Sequence, residues 1–185
     1  MAYPAKTDRE SILNAALQEV EREGAENLAI RSIAAKLGLA PNALYRYFDS
    51  LAALEAAVAE EARLQVLTVL QKAAGRKGPA ATIRAMSEAY LGFADERPRV
   101  YALYLKTSGT GSMTPQCIHN TEFFLEQVTR VYGRERAFQA AHALWAFLHG
   151  LAVLRKAGIF TAEESLSSFR FGLQMWIDGA GAAKE

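Results

Sequence analysis

The chain has little of what secreted and membrane proteins require. Its 185 residues include one cysteine, Cys117, which excludes an intrachain disulfide and favours a reducing compartment. No apolar run is long enough to cross a bilayer, and the beginning M-A-Y-P-A-K-T-D lacks the apolar core of a signal peptide. We therefore expect a cytoplasmic protein without a membrane span.

Motifs for catalysis and metal binding are also missing. No nucleophile lies in a recognised motif, and no glycine-rich loop is suited to phosphates. Cys117 and His119 would supply two soft ligands, whereas a structural zinc site needs two more. His142 and His149 lie two helical turns apart, too far for a ligand pair on one helix. The sequence predicts neither an enzyme nor a bound metal or cofactor.

Signals for β-strands are nearly absent, and alanine-rich segments with apolar residues at helical spacing dominate. The pattern predicts an all-α protein of about nine helices. Outside the segment discussed next, Gly and Pro positions predict helices over 7–23, 51–74, 80–96, 99–106, 116–132, 134–157 and 162–179. The stretch 107–115 is a loop by composition, and the tail from 179 should fray.

The segment of residues 30–48 is the most informative part of the chain. It reads I-R-S-I-A-A-K-L-G-L-A-P-N-A-L-Y-R-Y-F. Ala34 is small where a second helix would cross the first, Gly38 can adopt the positive φ of a tight turn, and Leu44 returns the second helix to the same core. A plain helical hairpin would also fit these three positions. The helix predicted before them favours a three-helix helix-turn-helix domain, which binds DNA.

Polar side chains are expected on the outward face of the second helix. Asn42 is able to pair bidentately with adenine, and Arg46, one turn later, to read guanine or bind a phosphate. Tyr45 and Tyr47 suit phosphate oxygens, and Pro41 is pre-set for a first helical turn. The predicted DNA contacts are Arg31, Lys36, Pro41, Asn42, Tyr45, Arg46 and Tyr47.

The charge balance of the first 50 residues is unusual for a DNA-binding domain. They contain six Lys/Arg and seven Asp/Glu, for a net charge of −1. Neutralised phosphates supply much of the affinity for DNA, so such domains are usually basic. Residues 30–48, however, carry three positive charges and no negative one. We expect a moderate, salt-sensitive affinity.

Residues 11–58 resemble the N-terminal domain of tetracycline-repressor (TetR) family regulators. The resemblance rests on S-I-L-N-A-A-L, E-G, L-A-I-R-S-I-A-A-K-L-G-L-A, A-L-Y-R-Y-F and L-E-A-A-V, in chain order. The ending Leu44-Tyr45-x-Tyr47-Phe48 is quite specific for that family. The resemblance implies a helix-turn-helix domain on a larger helical domain that dimerises and often binds a small effector. It also implies that Tyr45 contacts a phosphate.

Three positions depart from the family pattern. Family members commonly have Thr at Ala29, Ser at Ala40 and Lys at Leu51, where these side chains cap a helix or approach the DNA backbone. Losing a helix cap costs about 1 kcal/mol, and losing a phosphate-binding Lys lowers the salt dependence by about one ion. An alternative therefore stays open: a dimeric small-molecule-binding or partner-binding protein of the same fold with weakened DNA binding.

The helix predicted over 134–157 is apolar or small on nearly every side, which indicates burial on nearly every side. Phe138, His142, Trp145 and His149 form one of its faces. A stripe of small residues forms another and allows a second helix to pack closely. We expect this helix and the last helix to form a four-helix dimer interface with the same two helices of a second copy, as in the family. The alternative is one larger core in a monomer. The interface candidates are Ala143, Ala146, Gly150, Val153, Leu166, Phe169, Leu173 and Trp176.

Two features of the second half concern a ligand. The pattern Trp145-x-x-x-His149-Gly150, followed by L-A-V-L-R-K-A-G-I-F, resembles a TetR-family subclass named for its Trp, His and Gly (WHG). Aromatic walls with a few polar groups suit a planar or apolar molecule, although the same residues would also fill an ordinary core. The loop 107–115 is either a lid or a connection. The pocket candidates are Tyr90, Phe93, Tyr101, Tyr104, Phe123, Phe124, Trp145 and His149.

These observations and the resemblance predict two domains. Residues 1–50 would form the DNA-binding domain, and residues 51–185 the effector-binding and dimerisation domain. The expected protein is a ligand-responsive transcription regulator, in the first place a repressor. It would bind a palindromic double-stranded DNA operator as a homodimer and be released by a small-molecule effector.

Overall fold

The computed structural model describes residues 7–75, 78–107 and 115–180. Within these ranges the chain is all-α, with nine α-helices and no strand, as predicted. A short 3₁₀ turn, Ala25–Asn27, follows the first helix. The helices are α1 Arg9–Glu23, α2 Ile30–Lys36, α3 Pro41–Leu44, α4 Leu51–Ala73, α5 Pro79–Glu96, α6 Pro98–Thr107, α7 Pro115–Tyr132, α8 Arg134–Lys156 and α9 Ala162–Asp178.

Several helices begin at a side-chain cap. Asp8 accepts a hydrogen bond of 2.7 Å from the Ser11 amide at the start of α1. At α9, the Thr161 hydroxyl accepts from the Glu164 amide while the Glu164 carboxylate accepts from the Thr161 amide, which forms a capping box. Hydrogen bonds from the Ser11 side chain and backbone hold the pKa of Asp8 below its ordinary value. Those from the Thr161 backbone and hydroxyl do the same for the pKa of Glu164.

The helices form two compact units. The first comprises Met1–Gln65 and Arg97–Thr114, and the second Val66–Glu96 and Pro115–Glu185. The first unit therefore contains α1 to α3, the first part of α4, and α6. These units differ from the predicted division at residue 50. The reason is that α6 packs on α1 and the 3₁₀ turn, although it follows them by some 70 residues. The assignment of DNA and effector binding to 1–50 and 51–185 stays a prediction.

In the first unit, α1 and α6 are joined end to end by hydrogen bonds. The Glu21 carboxylate accepts from the backbone amides of Arg99 (3.3 Å) and Val100 (3.0 Å) in the first turn of α6. In return, the Arg99 guanidinium donates to the carbonyl of Arg22 in the last turn of α1. The negative side chain meets the positive end of α6, and the positive one meets the negative end of α1. This mutual capping holds α6 on the first unit.

In the second unit, α9 packs closely on α8. A Cβ at Gly172 would lie 2.3 Å from the Phe147 ring, so only glycine leaves room for that ring. The Trp176 indole donates to the Ala140 carbonyl at 3.0 Å and packs against Tyr132, with ring centroids 4.6 Å apart and the ring planes tilted by 56°. Burial raises the pKa of the Tyr132 hydroxyl. These contacts fix α9 within its own protomer.

Helix α8 is more exposed than a core helix of such composition would be. Among the described helices it alone is long and apolar enough, by length and composition, to cross a membrane. Core helices of water-soluble proteins pass the same test. Only 39% of its apolar segment is buried within the chain.

Candidate nucleic-acid interface

The helix-turn-helix has the geometry predicted from its three key residues. Ala34 is fully buried, Leu44 is 1% exposed, and Gly38 has φ of +67°. The Leu39 amide donates to the Ala34 carbonyl at 2.9 Å and the Gly38 amide to the Ala35 carbonyl at 3.1 Å. This pair of bonds is a Schellman motif, which ends α2 and turns the chain toward α3.

Most of the predicted DNA contacts are exposed side chains. Tyr45 is 48% exposed, and the side chains of Asn42 and Arg46 beside it are exposed as well. Arg31 and Lys36 are exposed on α2. Within the described chain, none of the charged and amide side chains among them takes part in a recorded hydrogen bond or ion pair. Their donors are therefore open to phosphates and bases.

The hydroxyl of Tyr47, unlike that of Tyr45, is bonded within the protein. Its hydroxyl donates to the Thr7 carbonyl at 2.7 Å, and its side chain is half-buried. This bond ties the start of the described chain to the segment after α3. Of the two tyrosines, Tyr45 is the one whose hydroxyl is free of such a bond, so the geometry favours Tyr45 for a phosphate. The DNA contact predicted for Tyr47 stays a prediction.

Helix α3 is short, and two of the residues predicted on its outward face, Tyr45 and Arg46, lie beyond its end. α3 ends at Leu44, and the next three residues continue as turns, with the Phe48 amide donating to the Leu44 carbonyl at 3.1 Å. Ala40 supplies no side-chain cap, and neither does Ala29 at the start of α2. Leu51 opens α4 with 38% of its side chain exposed. An apolar side chain thus stands on the surface where the family pattern has Lys.

The candidate pocket residues are divided between the two units. Tyr101 and Tyr104 lie on α6 in the first unit, with ring centroids 6.1 Å apart. The others lie in the second unit: Tyr90, Phe93, Phe123, Phe124, Trp145 and His149. Tyr90 is 3% and Phe93 6% exposed, so both contribute to the core of that unit. Whether any of the eight contacts a ligand stays a prediction, and a lid over 107–115 falls largely outside the described residues.

Polar groups buried in the second unit were missed by the sequence reasoning. Thr82 and Ser87 on α5, and Gln127 on α7, are each 5% exposed or less. The Ser87 hydroxyl donates to the Ile83 carbonyl at 2.8 Å. The helical spacing of Ile83, Ser87 and Tyr90 would have placed Ser87 on the buried side.

The interface candidates on α8 and α9 separate into exposed and buried residues. Ala143, Ala146, Val153 (45%) and Leu166 (47%) are exposed, and Gly150 is half-buried. Phe169 and Leu173, by contrast, are 4% and 0% exposed and lie in the core of the second unit. The Trp176 indole is bonded inside the protomer. Large apolar side chains that were not among the candidates are exposed instead: Phe138 (59%), Phe171 (71%) and Met175 (57%).

No cluster of three or more His, Cys, Asp or Glu suited to a metal occurs among the described residues. The side chains of Cys117 and His119 lie outside the described part of the chain. The histidines on α8 are paired with aromatic rings: Phe138 and His142 have ring centroids 4.1 Å apart, and Trp145 and His149 stack at 6.2 Å.

Solved structures share the fold over nearly the whole chain. A protein with unknown function from Rhodococcus sp. RHA1 superposes with a TM-score of 0.81 at 22% identity, covering 97% of this chain and 98% of that one. A TetR variant from Acinetobacter baumannii AYE, crystallised with minocycline, has a TM-score of 0.72 at 19% identity, covering 97% and 99%.

Sequence comparisons extend the likeness to both units. Residues 12–63 match the family described as "Bacterial regulatory proteins, tetR family", and residues 83–175 match "Tetracyclin repressor-like, C-terminal domain". An uncharacterized HTH-type transcriptional regulator of Mycobacterium tuberculosis, Rv0681, is 32% identical over 164 residues, covering 86% of this chain and 75% of that protein. YobS of Bacillus subtilis, also an uncharacterized HTH-type transcriptional regulator, is 27% identical over 174 residues, covering 91% and 90%. Because these matches span the helix-turn-helix and the helices that follow, the chain belongs to the tetracycline-repressor (TetR) family of transcriptional regulators.

Proposed function

We propose that this protein binds a palindromic operator as a homodimer, represses transcription there, and releases the DNA when a small molecule binds. The observation that carries the proposal is the exposed segment after the Gly38 turn. Asn42, Tyr45 and Arg46 project from it without a recorded hydrogen bond or ion pair inside the described chain. An amide and a guanidinium are the groups that read bases in the major groove.

The dimer is supported by the exposed apolar surface of α8 and α9. Large side chains such as Phe138, Phe171 and Met175 are more than half exposed in the single chain. Large exposed apolar side chains of this kind are typical of protein interfaces. Two copies related by a twofold axis would present two helix-turn-helix segments to successive major grooves, about 34–36 Å apart.

The effector is proposed to bind in the second unit. Its aromatic residues and the buried polar groups Ser87 and Gln127 provide apolar walls with a few hydrogen-bonding groups. The structural neighbour crystallised with minocycline has the same fold. An effector that binds one conformation of the dimer more tightly would shift the population away from the DNA-binding form. We place this regulator in the cytoplasm and assign it no catalytic step.

The WHG subclass is part of this proposal. Trp145 and His149 stack on α8, and Gly150 follows them with open space at its Cβ position. This arrangement supports a shared local structure at the three positions that give the subclass its name.

The second candidate function is favoured by Leu51, Ala29 and Ala40. A dimeric small-molecule-binding or partner-binding protein of the same fold needs no capped α2 and no cation at the start of α4. The exposed Leu51 and the net charge of −1 over the first 50 residues both weaken backbone binding. Operator affinity decides between the two functions.

Selection from random double-stranded DNA with the purified protein tests the proposal. We expect a palindromic site whose affinity falls steeply with salt. Arg46→Ala should cost about 1–3 kcal/mol of binding free energy, and Tyr45→Ala combined with it should abolish specific binding. Arg134→Ala is the matched control, because Arg134 is also exposed but lies at the start of α8. If no site is enriched above non-specific binding, the second function is the better one.

A further inference from the structure

A cavity in the first unit lies between the turn that follows α1 and the helix α6. It is lined by residues 24–26 of the turn and by Arg99, Ala102, Leu103 and Lys106 of α6. Its volume is about 240 Å³. That is room for about eight water molecules, and it is below the size of about 300 Å³ at which pockets for drug-sized ligands begin. The cavity therefore suits a small organic molecule.

The wall formed by α6 is one face of the helix with a cation at each end. Arg99, Ala102, Leu103 and Lys106 occupy positions i, i+3, i+4 and i+7, so they lie on the same side of the helix. The two cationic residues are separated by about 10 Å along the helix axis. The side chains between them, Ala102 and the half-buried Leu103, are apolar. This face suits a short apolar chain that ends in an anionic group.

Lys106 is the cation that is open to a ligand. It lies in the last turn of α6, its side chain is exposed, and within the described chain it forms no hydrogen bond or ion pair. The Arg99 guanidinium, by contrast, already donates to the Arg22 carbonyl. Lys106 can thus accept a carboxylate without losing a bond inside the protein.

The opposite wall contributes a carboxylate at the other end of the cavity. Glu26 folds back over Gly24, because a Cβ at Gly24 would lie 2.3 Å from its Oε1 atom. Arg99 bonds the carbonyl of Arg22, two residues before Gly24, so Glu26 and Arg99 lie at the same end. Two cations and one carboxylate leave the lining with a net charge of +1, and the unbalanced cation is Lys106.

We propose that this cavity binds a small monocarboxylate with an apolar body, with the carboxylate at Lys106 and the apolar part over Ala102 and Leu103. One negative charge neutralises the lining, whereas a second would approach the Glu26 carboxylate. A charge-assisted bond to Lys106 holds the anion, and burial of the chain on the apolar face adds to the affinity. The site lies apart from the effector site proposed in the second unit, and its occupation requires neither that site nor DNA.

Titration of the full-length, isotope-labelled protein with hexanoate, followed by nuclear magnetic resonance, tests the proposal. Hexanoate is a short apolar chain with one carboxylate, and hexanamide is its neutral counterpart of nearly the same shape. We expect hexanoate to shift the amide signals of Gly24, Ala25 and Leu103, which line the cavity. Hexanamide should shift them much less at the same concentration.

Substitutions separate the charge from the shape of the site. Lys106→Gln should raise the dissociation constant of hexanoate at least about fivefold, the effect of one exposed charge pair, and Lys106→Arg should retain the affinity. Lys72→Gln is the matched control, because Lys72 is also exposed in the last turn of a helix, α4, but lies outside the cavity. Ala102→Trp fills the cavity, keeps both cations and should abolish the shifts. Circular dichroism reports on the folding of each variant.

Each contrary result overturns a stated part of the inference. If the signals of the lining residues do not move at the highest soluble hexanoate concentration, the cavity does not bind such an anion. Equal shifts with hexanamide, or an unchanged affinity in Lys106→Gln, remove the role of the charge. Shifts that persist in Ala102→Trp place hexanoate elsewhere on the protein. The comparison with hexanamide uses the wild-type protein, so it remains decisive if a substitution disturbs folding.

Discussion

Asn42 lies one residue inside α3, with its amide exposed. A bidentate contact from this amide to adenine is worth about 1–3 kcal/mol of discrimination against other bases. We expect Asn42→Ala to lower affinity for the selected operator by that amount without changing the salt dependence, because no charge is removed. Asn14→Ala, at an exposed position on α1, should leave binding unchanged. Titration of labelled operator at several salt concentrations measures both quantities, and equal losses for the two variants would contradict the assignment.

A substitution at Leu51 is expected to raise operator affinity rather than lower it. Leu51 is the first residue of α4, and 38% of its side chain is exposed. The preceding residue, Ser50, caps the helix: its hydroxyl accepts a hydrogen bond of 3.1 Å from the Ala53 amide. We expect Leu51→Lys to raise operator affinity and to increase the salt dependence by about one ion. The positive end of the helix opposes this cation by about 0.3–1 kcal/mol, so the gain should be modest. Leu51→Gln is the neutral control, and a gain of the same size there would rule out a phosphate contact.

The roles of the turn residues could be predicted from the sequence, whereas the side of α9 that faces the core of its own unit could not. Ala34, Gly38 and Leu44 act through local geometry, so their roles could be predicted from type and spacing. Phe169 and Leu173 lie on the same helix as the exposed Phe171 and Met175, and all four are apolar. Composition alone does not say which side of α9 meets its own core. The contacts of Gly172 with Phe147 and of Trp176 with Ala140 fix that orientation, and neither could be predicted from the sequence.

The mutual capping of α1 and α6 leads to a prediction at the scale of the elements. Glu21→Ala removes the acceptor of two backbone amides of α6 and should lower the free energy of unfolding by about 1 kcal/mol, the usual cost of a lost cap. Glu23→Ala is the matched control on the same helix. Glu23 pairs with the exposed Arg22 side chain at 3.3 Å, an arrangement worth at most about 0.5 kcal/mol. Urea denaturation compares the two, and equal losses would deny Glu21 a special role.

The close packing of α9 on α8 leads to a second prediction about the stability of the fold. Gly172→Ala places a methyl group within 2.3 Å of the Phe147 ring and should destabilise the fold by about 1–3 kcal/mol. Gly92→Ala, in α5, meets no atom within 4 Å and should be neutral or stabilising by up to about 1 kcal/mol, because alanine favours helix. Thermal denaturation distinguishes them. A neutral Gly172→Ala would mean that Phe147 moves aside without cost.

Helix boundaries were predicted to within one or two residues for the long helices, because Gly24, Pro98 and Gly133 end or begin them locally. No boundary was predicted for the end of α3; in the structure it ends at Leu44, and residues 45–47 continue as turns. The membership of α6 in the first unit could not be predicted either. It depends on the hydrogen bonds that the backbone amides of Arg99 and Val100 donate to the Glu21 carboxylate, although these residues follow Glu21 by 78 and 79 positions.

At the scale of the whole molecule, the exposed surface of α8 and α9 should decide oligomeric state and, through it, operator binding. Phe171→Glu puts a charge at a 71% exposed apolar position. If a second copy covers it, each of two copies loses about 1.5–3 kcal/mol of burial, and the dimer dissociation constant should rise at least about 100-fold. Operator affinity should fall with it.

Ile159→Glu provides the control for that experiment. Ile159 is 64% exposed and lies between α8 and α9 rather than on either helix. We expect its replacement to leave both the dimer and operator affinity unchanged, as measured by sedimentation and DNA titration. A monomer with Ile159→Glu, or an unchanged dimer with Phe171→Glu, would place the interface elsewhere on the protein.

The bond between Tyr47 and the Thr7 carbonyl has a practical consequence. It holds Thr7 against Tyr47, two residues beyond Tyr45, on the segment proposed to touch DNA. A purification tag fused ahead of Met1 would therefore begin within six residues of that surface. A polyhistidine tag there would bring its own cations to the phosphates and would alter the apparent operator affinity and its dependence on salt. Binding experiments on this protein call for a tag that is cleaved or placed after Glu185.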